Sequence, residues 1–189
     1  GNRQKLYAWA TAAGPAFEGG ANRGIWGADM VKLLQKLLEE GLMDRQGLLK
    51  EPKFTKGIRI AHELVTQEAV RAVQLAKGAI AAGIEILTES YGIRFSDISK
   101  VVLAGGFGYY LDPKAAAAIG LLPKELTDRT VTGGNTALSG AALVGNRMLT
   151  GQLRAWDDLR RWHELQIQIL NLAEQVKFTE TFLKKMDFC

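Results

Sequence analysis

The stretch Lys100-Val-Val-Leu-Ala-Gly-Gly-Phe-Gly-Tyr-Tyr-Leu-Asp-Pro113 decides the fold of this chain of 189 residues. Its apolar start predicts a short buried strand, which leads directly into Gly105, Gly106 and Gly108. The alanine-rich segment that opens near Asp112 predicts a helix. In α/β proteins this order lets the backbone approach a phosphate or a purine, because glycine has no Cβ and a helix N-terminus offers free N–H groups. A purely structural turn is the alternative, since many strand-to-helix turns need glycine for geometry alone.

Two further glycine-rich segments make nucleotide binding the better interpretation. The first is Ala13-Gly-Pro-Ala-Phe-Glu-Gly-Gly20, in which the backbone around Gly14 could face phosphates and Glu18 could orient water or a magnesium ion. A tight loop with Phe17 in the core explains this segment equally well. The second is Gly133-Gly-Asn-Thr-Ala-Leu-Ser-Gly-Ala141, where Gly134 and Asn135 precede a predicted helix. An ordinary asparagine cap is the slightly favoured interpretation of Asn135.

A fourth glycine segment, Gly24-Ile-Trp-Gly-Ala-Asp29, opens a predicted helix with apolar residues at helical spacing. A helix N-terminus suits a phosphate, so Gly24 and Gly27 are candidate phosphate-binding residues. Asp29 would repel a phosphate unless a cation lies between them. We expect Gly41 to end this helix.

Hydrophobic periodicity predicts the remaining elements. The predicted helices cover residues 66–90, 112–119, 136–149, 153–162 and 176–186, and the predicted strands cover 6–11, 58–60, 129–132 and 165–172. The helix over 66–90 is rich in small residues, which predicts close packing within the fold or across a homodimer. Its predicted buried face carries Val73, Ala76, Ile80, Ile84 and Leu87. The helix over 136–149 is expected to pack through Leu138, Ala141, Ala142, Gly145 and Met148.

Composition narrows the class of protein. A content of 47% hydrophobic residues can fill the core of one domain, and a net charge of +4 with scattered basic residues does not indicate nucleic-acid binding. No apolar run is long enough for a membrane span, and the pattern of a signal peptide is absent, so a cytoplasmic location is expected. The single cysteine, Cys189, cannot hold an iron–sulfur cluster by itself. The two histidines, His62 and His163, do not predict a metal pair.

Six segments in order resemble one family over nearly the whole chain. They are residues 12–20, Gln74-Leu-Ala-Lys-Gly-Ala-Ile-Ala-Ala-Gly-Ile84, residues 103–112, Ile119-Gly-Leu-Leu-Pro123, residues 134–141 and Lys177-Phe-Thr-Glu-Thr-Phe-Leu-Lys-Lys-Met-Asp-Phe188. Together they look like the ATPase domain of the reductive activators of corrinoid proteins. The resemblance implies a ribonuclease H-like, actin-like (ASKHA) α/β lobe, in which helices flank a mixed sheet, as one part of a two-lobed fold.

The resemblance also implies a function. Such activators use ATP with Mg²⁺ to drive an electron from an iron–sulfur centre onto Co(II) of a corrinoid methyltransferase protein, which restores Co(I). Gly105, Gly106 and Phe107 would belong to the adenosine-binding turn, and residues 24–29 would lie at a second phosphate loop. The corrinoid protein is the expected partner, and the iron–sulfur cluster would lie outside this chain.

Departures from the family pattern set further expectations. The family's first phosphate hairpin, of the type Asp-x-Gly-Thr, would precede Gly1, so residues 1–189 are expected to be one fragment of a longer ATPase domain, inactive in isolation. Trp26 and Asp29 replace small residues in the second phosphate loop, and the stretch between Gly20 and Gly24 is shorter than in the family. The alternatives are a small-molecule kinase of the acetate or sugar type, and a non-catalytic docking module that has lost nucleotide binding.

Overall fold

A computed structural model describes residues 27–60, 63–151 and 169–189. Gly14, Glu18 and Gly24 lie outside the described residues, as do the predicted strand over 6–11 and the predicted helix over 153–162. The roles expected of these residues therefore stay predictions.

Helix α1, Gly27–Glu39, supplies much of the core. Its apolar residues recur at helical spacing, as the sequence predicts. Leu33, Leu34 and Leu37 among them are almost completely buried. The chain turns at Gly41, whose φ of 63° lies in the left-handed region that favours glycine. A short helix, α2 (Lys53–Lys56), then follows in the connection between α1 and the first strand.

Two small sheets follow. Strands β1 (Ile58–Ile60) and β2 (Glu63–Val65) form an antiparallel pair, which confirms the predicted strand over residues 58–60. Strand β3 (Val101–Ala104) pairs in parallel with β4 (Thr130–Gly134), which confirms the strands predicted over residues 101–103 and 129–132. The expected burial of β3 is wrong, because none of its residues is buried and Val102 is 50% exposed. The Arg129 side chain links the segment that precedes β4 to the segment that precedes β3. One of its guanidinium nitrogens donates to the carbonyl oxygens of Phe95, Ser96 and Ile98.

The long helix is present as predicted, but its buried face is not the one expected. Helix α3 spans Gln67–Ser90, and the Thr66 hydroxyl caps it by accepting a hydrogen bond from the Ala69 backbone. Of the face predicted to be buried, Ala76, Ile80 and Leu87 are exposed, and Val73 and Ile84 are only partly buried. The side that faces the core and the C-terminal segment instead carries Val70, Gln74, Lys77, Ala81, Ala82 and Ile86. The alternative that this small-residue helix packs across a homodimer stays a prediction.

Two buried polar side chains explain why the buried face of α3 differs from the predicted one. The Gln74 amide donates to the carbonyl of Gln46 at 3.0 Å and accepts from the Arg71 guanidinium at 2.6 Å. The Lys77 ammonium donates to the backbone carbonyl of Asp187. Because the carbonyls of Gln46 and Asp187 come from segments far along the chain, hydrophobic periodicity cannot show that a glutamine and a lysine face inward.

The small residues of α3 do admit a second helix, as predicted. Helix α7 (Phe178–Met186) packs on α3 at Gly78, where an added Cβ would lie 3.3 Å from side-chain carbons of Phe182 and Met186. Lys185 of α7 pairs with Glu85 of α3 at 2.6 Å. The chain then buries Phe188, whose backbone N–H donates to the Arg45 carbonyl at 2.7 Å.

Two further predictions are wrong for the described residues. Helix α6, Thr136–Leu149, has the predicted bounds, but none of its residues is buried, so the expected packing through its apolar side is not observed. Of the strand predicted over 165–172, residues 169–171 are not in a strand, and Leu172 begins a 3-10 turn that lies against Gly83. Among the described residues no strand pairs with residues 169–171, and the rest of the predicted strand, residues 165–168, lies outside the described residues.

Candidate nucleotide-binding site

The two parallel strands end side by side and each leads into a helix. Ala104 at the end of β3 is paired with Gly134 at the end of β4. Helix α4, Gly105–Tyr110, begins at the next residue of the first strand, and Asn135 caps α6 at the next residue of the second. Ligands of α/β proteins bind beyond the carboxyl ends of parallel strands, so this edge is the candidate site.

The glycine segment itself is helical, which corrects the expected turn with a helix opening only near Asp112. Gly105, with φ of 83°, bends the chain out of β3 and directly into α4. Helix α5, Pro113–Ala118, is a separate helix, and the Asp112 carboxylate caps it by accepting from the Lys114 backbone at 2.9 Å.

The three glycines of α4 differ in their surroundings. A Cβ added at Gly105 or Gly106 would meet no atom of the described residues within 4 Å, so with respect to this part of the chain the backbone there faces open space. A Cβ added at Gly108 would lie only 2.9 Å from the backbone carbonyl carbon of Leu103. Gly108 therefore lets α4 fold back tightly on β3, whereas Gly105 and Gly106 leave their backbone accessible to a ligand.

The glycines at the end of β4 let this strand lie close to β3 and α4. A Cβ added at Gly133 would lie 2.8 Å from a methyl carbon of Val102, which is too short for a real contact. Gly134, with φ of 68°, lies beside the Tyr109 ring at 3.6 Å, measured from its added Cβ. Asn135 is the helix cap that the sequence favoured, since its side-chain oxygen accepts from the Leu138 backbone at 3.1 Å.

The start of α1 reaches the same site. A Cβ added at Gly27 would lie 3.0 Å from the Phe107 ring, so the second predicted phosphate loop and the predicted adenosine turn are in contact. Asp29 is only 8% exposed and has an interaction of its own, so its carboxylate is not a free surface charge. The structure thus brings together Gly27, residues 105–108, Gly134 and Asn135, while their binding roles stay predictions.

Three half-exposed aromatic side chains follow Gly105 and Gly106 in helix α4. They belong to Phe107, Tyr109 and Tyr110, and the two tyrosine rings meet edge to face, with centroids 4.8 Å apart. Exposed aromatic faces beside an open backbone can receive a planar ring such as a purine. Tyr109 was not among the site residues predicted from the sequence, although its ring lies beside Gly134 at the edge of the candidate site.

The glycines also yield a stability test. Gly108→Ala is expected to lower the free energy of unfolding by about 1–3 kcal/mol, because the new methyl group collides with backbone that cannot move without shifting β3. Gly106→Ala is expected to be neutral or slightly stabilising, because its methyl group enters open space within a helix. Urea denaturation followed by circular dichroism measures both variants, and equal effects would contradict the assignment of different roles.

Comparison with known proteins identifies the family of this chain. A family model described as the C-terminal domain of RACo, the ASKHA domain, matches residues 21–189. This chain belongs to the RACo C-terminal domain family. The expected ASKHA fold class is thereby confirmed, and two named relatives of this RACo-type domain agree with it.

One relative is the corrinoid activation enzyme RamQ of Eubacterium limosum, which is 32% identical over 204 positions that cover 76% of this chain and 34% of RamQ. The other is a solved structure of a reductive activator for a corrinoid, iron–sulfur protein, with a TM-score of 0.70 and 25% identity over 90% of this chain and 29% of that chain. The chain therefore spans about a third of the length of each relative. The alignment has 204 positions but contains only 76% of this chain, so RamQ has residues in the aligned region that have no counterpart in this chain.

Two features are absent from the residues that the structure describes: a membrane-spanning helix and a cluster of metal-binding side chains. In residues 27–60, 63–151 and 169–189, no helix is both long enough and apolar enough to cross a bilayer. Within the same ranges, no group of three His, Cys, Asp or Glu side chains is placed to hold a metal ion.

Proposed function

We propose that this chain is the ATP-binding domain of a reductive activator that returns corrinoid Co(II) to Co(I) in a methyltransferase system. Electrons would come from an iron–sulfur cluster elsewhere in the full-length protein, and the partner would be the corrinoid protein. Membership of the RACo C-terminal domain family supports this proposal, as do relatives named as corrinoid activators. Because the chain spans about a third of those relatives, the activity is proposed for the full-length protein.

The observation that carries the nucleotide assignment is the open backbone of Gly105 and Gly106 at the carboxyl end of β3. This geometry fits a nucleotide, because no side chain blocks the approach of an adenosine to the main chain there. Gly105, Gly106 and Phe107 would hold the adenosine, and Gly27 would lie on the phosphate side through its contact with Phe107. When bound, ATP with Mg²⁺ supplies a cleavable phosphate whose loss changes the charge in the cleft.

ATP can influence docking of the corrinoid protein only if ATP and its hydrolysis products favour different arrangements of the protein. The Phe107–Gly27 contact offers one route for such coupling, because it links the adenosine turn to a helix that runs through the core. A nucleotide that moves Phe107 would therefore also move the start of α1.

The test of this assignment is the variant Gly106→Asp. Its side chain enters open space, so the fold should be kept, but it places a carboxylate where the nucleotide would approach. We expect the dissociation constant for ATP with Mg²⁺ to rise at least about tenfold, which corresponds to about 1.4 kcal/mol. Isothermal titration calorimetry on the full-length protein measures this, alongside ATP-dependent formation of Co(I), followed by absorbance of the corrinoid protein.

A matched control is Gly145→Asp on α6, which also places its side chain in open space but lies nine residues beyond Thr136. It should leave ATP affinity within about twofold, well below the tenfold change that corresponds to 1.4 kcal/mol. Unchanged affinity in Gly106→Asp would contradict the adenosine assignment. If the unaltered full-length protein shows no ATP affinity, the non-catalytic docking module is the correct alternative.

A further inference from the structure

A second concavity, of about 750 Å³, lies away from the candidate nucleotide site. Its walls come from the C-terminal half of α1, the loop that follows, α5, the 3-10 turn Lys124–Arg129 and Cys189. Gly27 of the nucleotide site lies at the opposite end of α1, eight to twelve residues away, which is about 12–18 Å along a helix. The two sites are therefore separate surfaces joined by one rigid element.

The floor of this concavity is apolar. Leu38, Met43, Ala117 and Ala118 line it, and Met43 and Ala117 also belong to the buried interior. Because α5 is a run of alanines packed on α1, small side chains leave room between the two helices. The floor can therefore cover the apolar body of a ligand.

The rim carries three cations that have no partner of their own. Arg45, Lys114 and Lys124 are exposed, and their side chains make no hydrogen bond or ion pair with the part of the chain that the structure describes. They come from three different elements, so they surround the floor rather than forming a row along one helix. Three positive charges thus face a common space.

The two carboxylates of the rim are already engaged. Glu39 accepts hydrogen bonds from Lys36 at 3.1 Å and from Gln35 at 2.8 Å, and the Lys36 hydrogen bond lowers the pKa of Glu39. One oxygen of Asp44 accepts from the Leu48 backbone at 2.8 Å. Glu39 is paired with the Lys36 cation, so the three cations of the rim outnumber Asp44, the one side-chain carboxylate of the rim without an ion pair in the described part of the chain, which gives this concavity an excess of positive charge.

We propose that this concavity binds a small organic anion, with an apolar body and one or more carboxylate, sulfonate or phosphate groups. Its volume lies in the range of small-molecule sites, which combine a mostly apolar lining with a few polar groups that fix orientation. An apolar floor offers nothing to an inorganic ion, so the body of the ligand contributes to binding. The anionic groups pair with Lys114, Lys124 and Arg45.

The probe for this site is 8-anilino-1-naphthalenesulfonate, an aromatic anion whose fluorescence rises on binding, titrated into this chain. The double variant Lys114→Glu with Lys124→Glu is expected to weaken its binding at least tenfold. The uncharged analogue N-phenyl-1-naphthylamine, which has the same aromatic body, should change less than twofold. Ala118→Phe fills the floor and should displace both probes.

The matched control is Lys56→Glu with Lys100→Glu, which makes the same change of net charge at two exposed lysines outside the concavity. This control should keep the affinity for the anion within about twofold, and so should Gly106→Asp. A cooperative thermal transition in every variant shows that the fold is kept. Equal weakening by both double variants would overturn the proposal, because a general charge effect explains it, and so would unchanged binding in the Lys114/Lys124 variant.

Discussion

Replacing Phe188 with alanine is expected to lower the free energy of unfolding by about 3–5 kcal/mol. The Phe188 ring is 2% exposed and fills a space that exists because residue 47 is glycine, where an added Cβ would lie 2.9 Å from the ring. The Lys77 ammonium lies 5.2 Å from the centre of the same ring. Truncation would therefore leave a cavity between α3 and the loop around Gly47. It would also remove the aromatic ring that lies next to the buried Lys77 ammonium.

Urea denaturation followed by circular dichroism measures this effect. The matched control is Phe54→Ala, because the Phe54 side chain is 46% exposed and should contribute less than about 1 kcal/mol. If Phe188→Ala costs no more than Phe54→Ala, the C-terminal segment does not belong to the core and this description of it is wrong.

The second large effect is a dependence of stability on pH that arises from Lys77. Burial is the main cause that lowers the pKa of Lys77, from an ordinary value of 10.5 to about 8, and neighbouring charges at Cys189 and Asp187 oppose the decrease. Below pH 8 Lys77 is protonated in the folded protein, and burial of its ammonium lowers the stability by about 3 kcal/mol relative to the same group in the unfolded chain. The unfolded chain binds more protons between pH 8 and 10.5, so stability rises with pH across this window.

The variant Lys77→Met isolates this contribution, since it removes the amine and keeps a side chain of similar length. We expect the difference in free energy of unfolding between wild type and Lys77→Met to shift by about 2 kcal/mol in favour of wild type between pH 7 and pH 10. Denaturation at a series of pH values measures the difference, and Lys56→Met at an exposed position serves as the control. A difference that stays constant with pH would show that Lys77 is not buried as described.

Local features of this chain could be predicted from the sequence because their causes are local. Thr66, Asp112 and Asn135 each accept a hydrogen bond from a backbone N–H two or three residues ahead, so a cap and its helix are neighbours in the sequence. The strand before Gly105 and the core face of α1 were also predicted correctly, since an apolar run and helical spacing are properties of one segment, but the expected burial of the strand was wrong.

Other features could not be predicted, because residues far along the chain cause them. The buried side of α3 contains Gln74 and Lys77, whose partners are the carbonyls of Gln46 and Asp187. Without those partners the more apolar side, with Ile80 and Leu87, was the reasonable prediction, and it was wrong. The strand predicted from residue 165 onward was wrong over residues 169–171 for a related reason, since a strand needs a neighbour to pair with.

The candidate site also combines features that the sequence predicts locally with features that depend on distant segments. The sequence by itself determined that glycines follow a strand, that Asn135 caps a helix and that the ordered segments resemble one family of activators. Only the tertiary structure decided that Ala104 and Gly134 end side by side, and that Phe107 meets Gly27. It also decided that Gly106 faces open space while Gly108, two residues on, is packed against Leu103. The physical reason is that a sequence specifies which backbone conformations are allowed, whereas the space around each residue depends on which distant segments pack against it.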